Sequence, residues 1–416
     1  MAEFPFATVT ANELSFAERD ERYRRLHDWP ARSYRHSSGL RMIWKYEDVR
    51  EVLAAATPAI TPANALEPLV GYPRIATTAR AIAPMVRHLV PLPAKATADL
   101  TDRALHKRVW DTMAGPAGHF RIPAAEQPAR AAAMARHFHA ALAELSPGPG
   151  ELDVTALSIA YATRVTGSAV GLPAAEWPQV ALWSGAQSGL LGRRMRGREL
   201  AAAVAALGRL FTVSGRAVDH ELRSGAVGFA TRLRNAGIPR RVAVSAVANS
   251  LAAGVHTVSG SIQQGVQRLL ADPRRVWWDL LADPDTAGQV AAKVLQLDPG
   301  LVAWKRRVLR PVTLASGTEL PAGPVLVMFA AANRDPAAFP DCLDLRRPGK
   351  MPLTFGFGAH VCPGKQSATL AVEVFLHQLR TLVPDAYQLP GPAVPPRAAD
   401  LLFSGAQVHL AGDRRR

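Results

Sequence analysis

One segment of this sequence concentrates the residues best able to do chemistry: Phe355-Gly-Phe-Gly-Ala-His-Val-Cys-Pro-Gly364. It sets Cys362 behind a glycine-rich turn and just before an amphipathic stretch, Gly364 to Leu382. The amides of such a turn and the positive end of a helix stabilise a thiolate. A thiolate so placed suits a haem iron, where its electron donation favours O–O cleavage. A solitary buried cysteine is otherwise a small hydrophobe, and it is the surrounding pattern that argues for more. The only other cysteine, Cys342, has no ligand spacing around it and reads as a packed free thiol. A second unusual place is Ala252-Ala253-Gly254, in mid-helix with Ser245, Ser250, Thr257 and Ser259 nearby. Glycine there weakens a helix by about 1 kcal/mol. It serves either close helix packing or room for a ligand.

The elements that must position these residues are mostly helical. Alanine-rich amphipathic patterns predict helices over Pro123 to Leu145, Leu152 to Val170, Ala174 to Gly192, Arg198 to Arg223 and Arg241 to Ala271. Proline and glycine close several of them, as at Ser-Pro-Gly-Pro-Gly 146–150 and Asp272-Pro273. Beyond Pro299, Val308 to Leu314 and Pro324 to Phe329 read as short strands around the Pro321-Ala-Gly323 turn. An irregular stretch, 333–354, and the helix from Gly364 to Leu382 follow. The expectation is one unit, 1–416, mainly α with small β-sheets.

The 416 residues are 48% hydrophobic and 20% charged, with mean hydropathy +0.02, which excludes intrinsic disorder. No run reaches the roughly 18 uninterrupted apolar residues of a membrane span, and the first residues, Met1-Ala-Glu-Phe-Pro-Phe, lack a basic-then-apolar pattern, so secretion is not expected. Two cysteines exclude a disulfide scaffold and a four-cysteine zinc site, so a reduced cytoplasm is expected. Lys plus Arg outnumber Asp plus Glu by 49 to 34. The basic residues are scattered, and the longest runs are Lys305-Arg306-Arg307 and Arg414-Arg415-Arg416. That distribution suits an acidic protein partner better than a nucleic acid.

Phe-x-x-Gly-x-x-x-Cys-x-Gly followed by an amphipathic helix resembles the haem-ligand loop of the cytochrome P450 family. Further motifs extend the resemblance in the right order. Asp102 to Trp110 is similar to the family's haem-contacting helix start, the 241–271 helix to the one crossing the haem face, and Pro321-Ala322-Gly323 to its hairpin. Ala332-Asn333-Arg334-Asp335-Pro336 is similar to its strand-to-meander motif. The resemblance implies the P450 fold, a long central helix over haem b, and Cys362 as the iron ligand. It assigns His106, Arg307 and His360 to the haem propionates and places Phe355 and Gly358 in the cysteine loop. Trp110 stands where many bacterial members carry arginine, and its indole N–H could donate one hydrogen bond there.

Two departures accompany the resemblance, besides the unliganded Cys342 in the meander. The Glu-x-x-Arg pair is replaced by Lys293 and Gln296, and the meander, Phe339 to Leu345, lacks its arginine. This reads as a rebuilt structural network, because a buried arginine without its carboxylate is costly whereas a complete replacement is not. His256 stands where the family has an acid, before Thr257. It is expected to relay protons, with Thr257 organising the water that delivers them.

The function so implied is a bacterial haem-thiolate oxidase of secondary metabolism, taking electrons from a separate ferredoxin and ferredoxin reductase. Its substrate is expected to be a small aromatic natural product, a cyclic dipeptide for example, oxygenated or oxidatively coupled. Substrate contacts are expected from 66–98, 186–198, the Ala246–Ser250 and Gly254 face, and the 401–405 loop, with Ser250 and Ser404 as polar anchors. The alternative is a non-catalytic P450-like helper of a partner enzyme, favoured by the missing Glu-x-x-Arg.

Overall fold

The computed structural model describes residues 14–36, 40–54, 59–62, 102–145, 151–191, 195, 197–346, 349–390 and 408–412. Ser15 opens α1 (Phe16–His27) with a capping box to Glu18. Strands β1 (Ser33–Arg35) and β2 (Arg41–Ile43) form a hairpin, followed by α2 (Tyr46–Ala54) and β3 (Ile60–Pro62). Asp102 caps α3 (Arg103–Ala114) by accepting from the amides of Ala104 and Leu105. The helical layer continues with α4 (Gln127–Leu145), α5 (Val154–Ala169) after β4 (Glu151–Asp153), α6 (Trp177–Ser188) and α7 (Gly197–Ser224). Then come α8 (Phe229–Asn235), α9 (Arg240–Ala271), α10 (Val276–Leu280) and α11 (Pro284–Leu297).

The 32-residue α9 is the axis of the fold. Its apolar residues run around most of its circumference, so it packs on α5, α6, α7, α11 and α13 (Lys365–Leu382). One core joins Phe138 of α4, Tyr161 of α5 and Phe375 of α13, whose rings meet at centroid distances of 5.2 to 6.4 Å. By length and apolarity α7 and α9 could each cross a membrane, but 50% and 61% of their apolar windows are buried inside the fold.

The C-terminal part supplies β5 (Trp304–Val308), β6 (Val312–Thr313), β7 (Glu319–Leu320), β8 (Gly323–Val327) and α12 (Phe329–Ala332). The main sheet has the order β1-β2-β8-β5-β3, with only β2 and β8 parallel. A second sheet pairs β10 (His409–Ala411) with β4 and with β9 (Tyr387–Gln388), and β6 pairs with β7. The helices lie where the apolar spacing predicts them, to within a few residues. The first strand does not. It spans 304–308, where it pairs with β8 and β3, rather than beginning at 308, and it stops before Pro311, which has no N–H to continue a ladder.

A buried ionic cluster ties the ends of this frame together. Asp298, after α11, meets Arg19 of α1 at 3.2 Å, Arg268 of α9, and Arg334 at 3.4 Å. Asp20 bridges Arg268 at 2.9 Å and Arg334 at 2.8 Å. Burial would raise the Asp298 carboxyl, but Arg268, Arg334 and Arg19 hold it down at about 2.

Candidate functional site

The cysteine loop is held from several sides. Asn333 accepts from the Leu353 amide at 2.6 Å and donates to Thr354 Oγ1 at 2.8 Å and the Gln296 carbonyl at 2.9 Å. Gln296 returns a bond from Nε2 to the Asn333 carbonyl at 2.9 Å, and Thr354 Oγ1 donates to the Leu295 carbonyl at 2.7 Å. Gly356 and Gly358 take φ of +74° and +75°. A Cβ on Gly358 would lie 2.8 Å from Ala54 Cα at the end of α2, so this position also needs glycine for space. Phe355 packs on the core shared by α4, α5 and α13, and its carbonyl accepts the Cys362 amide at 2.8 Å. Burial pushes the Cys362 thiol up, against the pull of the Gly364 amide and Lys365. A cation at the sulfur would overcome that and hold the thiolate.

Beside the loop sits an aromatic cluster. The His106 ring stacks on Trp110 at 4.1 Å and 23°, and lies 4.2 Å from the His360 ring. His106 Nε2 and His360 Nδ1 are buried with no hydrogen-bond partner among the described residues. Burial lowers both pKa values, and burial together with His106 and Arg306 takes His360 to about 3. Trp110 differs from its expected role: its indole N–H donates to the Val361 carbonyl at 2.7 Å. The charge of the buried Arg306, the neighbour of the expected Arg307, also bears on His360. Successive side chains on β5 point to opposite faces, so Arg306 and Arg307 lie on different sides of the sheet. Arg307, half-buried, pairs across the sheet with Thr61 and Pro324.

On α9, Thr257 Oγ1 donates to the Ala253 carbonyl at 2.7 Å, and its backbone lies against Gly300. The His256 side chain turns to α6, where its Cε1 would be 3.8 Å from a Cβ on Gly185 and its ring bonds to the Ser184 backbone. Burial lowers it to about 4, so it is neutral at pH 7, and its Nε2 is buried without a partner among the described residues. It can pass protons only by exchanging tautomers, not as a standing acid. At Gly254 a Cβ would be 2.7 Å from the Thr166 side chain of α5, so close helix packing there already calls for glycine. Ser250 Oγ donates to the Ala246 carbonyl at 2.8 Å. Ser404, the loop around it and the 66–98 region lie outside the described residues.

Of the two residues that replace Glu-x-x-Arg, Gln296 is tied to Asn333 by the two bonds above, and Lys293 meets the meander through charge alone. Lys293 is buried, which lowers its pKa, while Cys342, Asp344 and Asp341 in the meander pull it back up. Cys342 is a half-buried free thiol whose pKa burial raises. Asn333, the hub of the loop, carried a signal in its motif but was assigned no role from sequence. Nothing in the sequence distinguished Arg306 from Arg307.

No protein-family model matches the chain. Cytochrome P450 144 of Mycobacterium tuberculosis is 31% identical over 238 residues, 55% of this chain and 54% of that protein. The steroid C26-monooxygenase of Mycolicibacterium smegmatis is 32% identical over 150 residues, 35% of this chain and 36% of that protein. The chain thus spans about half, or less, of the length of these curated relatives. Among solved structures, the P450 heme domain of Tepidiphilus thermophilus is similar with TM-score 0.80, 16% identity and coverage of 95% of this chain and 94% of that one. P450BioI in complex with a hexadecenoic-acid-ligated acyl carrier protein is similar with TM-score 0.74, 18% identity and coverage of 95% and 97%. The chain thus has the fold of P450 heme domains, and over about half its length it is similar in sequence to cytochromes P450. The family's cofactor is haem b with a thiolate-ligated iron. The residues present fit it: a cysteine at a tightly held loop, and two buried imidazole nitrogens still lacking a partner for acidic groups.

Proposed function

We propose that this chain, as one 1–416 unit, is a haem-thiolate monooxygenase or oxidase acting on a small natural product. The observation that carries the reading is the pair of buried nitrogens, His106 Nε2 and His360 Nδ1, unpartnered among the described residues and beside the loop that holds Cys362. Haem, when bound, supplies reductive activation of dioxygen. Cys362 would give the iron its protein ligand. His106 and His360 would hold the propionates, with Arg306, or Arg307 as the resemblance has it, supplying positive charge. Phe355 and Gly358 shape the loop. The Thr257 hydroxyl would place a water for proton delivery, with neutral His256 behind it.

Oxygenation is what the name of the Mycolicibacterium relative states of that protein. Oxidative coupling is the other chemistry kept open, since no carboxylic acid precedes Thr257. A small aromatic substrate, such as a cyclic dipeptide, is supported by the Val302-Ala-Trp304-Lys-Arg-Arg307 motif alone. Electrons would come from a separate ferredoxin and its reductase, and a net charge of +15 suits an acidic donor in a cytoplasmic setting. The helper reading rests on the missing Glu-x-x-Arg; the two Gln296–Asn333 bonds that stand in its place speak against it.

The test is a carbon-monoxide difference spectrum of the reduced protein. Wild type and Cys342→Ser should both give the thiolate band, while Cys362→Ser should lose it. A wild-type protein that takes up no haem would sink the enzyme reading in favour of the helper.

A further inference from the structure

The peptide unit between Val361 and Cys362 is bonded at both ends by different parts of the fold. Its N–H donates to the Phe355 carbonyl at 2.8 Å, which closes the loop on itself. Its carbonyl accepts the Trp110 indole N–H at 2.7 Å, across 251 residues of sequence. A peptide unit is planar, so fixing both its donor and its acceptor fixes the orientation of the whole plane. Little then remains free before the cysteine side chain except φ and χ1 of Cys362. Polarising the carbonyl also strengthens the N–H bond at the other end.

Trp110 is well placed for this. Asp102 caps α3 and sets its direction, and the His106 ring stacked at 4.1 Å fixes the indole plane. The His360 ring meets the indole edge-on at 5.8 Å. An indole has one donor and no acceptor. With that donor on Val361, Trp110 has nothing left for an acidic group, whereas His106 Nε2 and His360 Nδ1 have.

We propose that Trp110 is a positioning residue of the cysteine loop: its indole N–H, together with the Phe355 carbonyl, clamps the peptide that leads into Cys362, and it is not a haem-carboxylate donor. This rests on the reading of Cys362 as the thiolate ligand.

The test replaces Trp110 with 3-benzothienylalanine, which keeps the shape and the stacking but has no N–H, alongside Trp110→Phe. Hydrogen exchange of the Cys362 amide is followed in the haem-free protein, and resonance Raman spectra in the haem-loaded one. Loss of one hydrogen bond should speed exchange at Cys362 about five-fold in the isosteric variant. The iron–sulfur stretch should move, while the propionate bending bands stay put. Unchanged exchange, or moved propionate bands with a fixed iron–sulfur stretch, would overturn the proposal. A wild-type protein that binds no haem would end the functional reading and still leave the exchange comparison to decide the clamp.

Discussion

Gly358 shows how tightly single residues are constrained here. Its φ of +75° and the 2.8 Å approach of a would-be Cβ to the Ala54 backbone act together. Gly358→Ala should therefore lose about 2–4 kcal/mol of stability. Gly317 has φ +82° with open space around it, so Gly317→Ala should lose only about 1 kcal/mol. Urea midpoints of the two variants check the difference, and equal losses would mean that the contact with α2 is immaterial. At this scale the sequence was partly legible. Cys362, His106 and His360 stand out by type and spacing, and the structure brings them to one place. Gly254 looked like room for a ligand because its neighbours are small, but a sequence does not say that Thr166 lies across from it. Arg306 and Arg307 are indistinguishable as letters, and only strand register separates them. The partner of the Trp110 indole was equally hidden, since it lies on an element 251 residues away.

Between elements, the interesting join is α11 to the meander and the cysteine loop. A buried cation on α11 now faces meander acids, Lys293 towards Asp341 and Asp344, where the family's pattern puts a carboxylate on the helix. Gln296 and Asn333 exchange two hydrogen bonds of 2.9 Å in place of an ion pair. Restoring the family's letters should consequently harm the fold. Lys293→Glu with Gln296→Arg places a carboxylate against two others and breaks the Asn333 pair, for an expected loss of about 3–5 kcal/mol. Adding Asp341→Asn and Asp344→Asn should recover part of that loss, as coupled sites do. Thermal melts of the two variants measure it, with turnover not expected to rise in either. Higher stability in the double replacement would show that the network is a defect rather than a substitute. The helices themselves were legible because α-helical spacing is a local signal. The strands were less so, since β5 takes its register from β3 and β8 rather than from its own letters.

Across the whole molecule, acid should act first on buried neutral histidines and only later on the ionic cluster. His256 titrates near 4 in the folded state, because burial between α9 and α6 disfavours its charge, against an ordinary value of 6.5. The unfolded chain therefore takes up this proton first as pH falls below 6.5. Stability is lost between pH 6.5 and 4, and the loss levels off below the folded pKa. With these two values His256 alone contributes a loss of about 2 kcal/mol by pH 5. His119 and His137 are also lowered mainly by burial and push in the same direction. Asp298 cannot be the cause in this window. Its folded pKa of about 2 lies below the ordinary 3.8, so its share of stability is intact above pH 3.8 and disappears as pH falls through 2. Each protonation also adds to a net charge already at +15, which opposes compactness. Urea unfolding at pH 7 and pH 5 tests this for the wild type and His256→Gln, which keeps a donor for the Ser184 backbone but cannot titrate. The variant should lose about 2 kcal/mol less between the two pH values than the wild type does. An identical loss in both would mean that His256 is not held neutral by the fold, and would restore it as a charged acid beside Thr257.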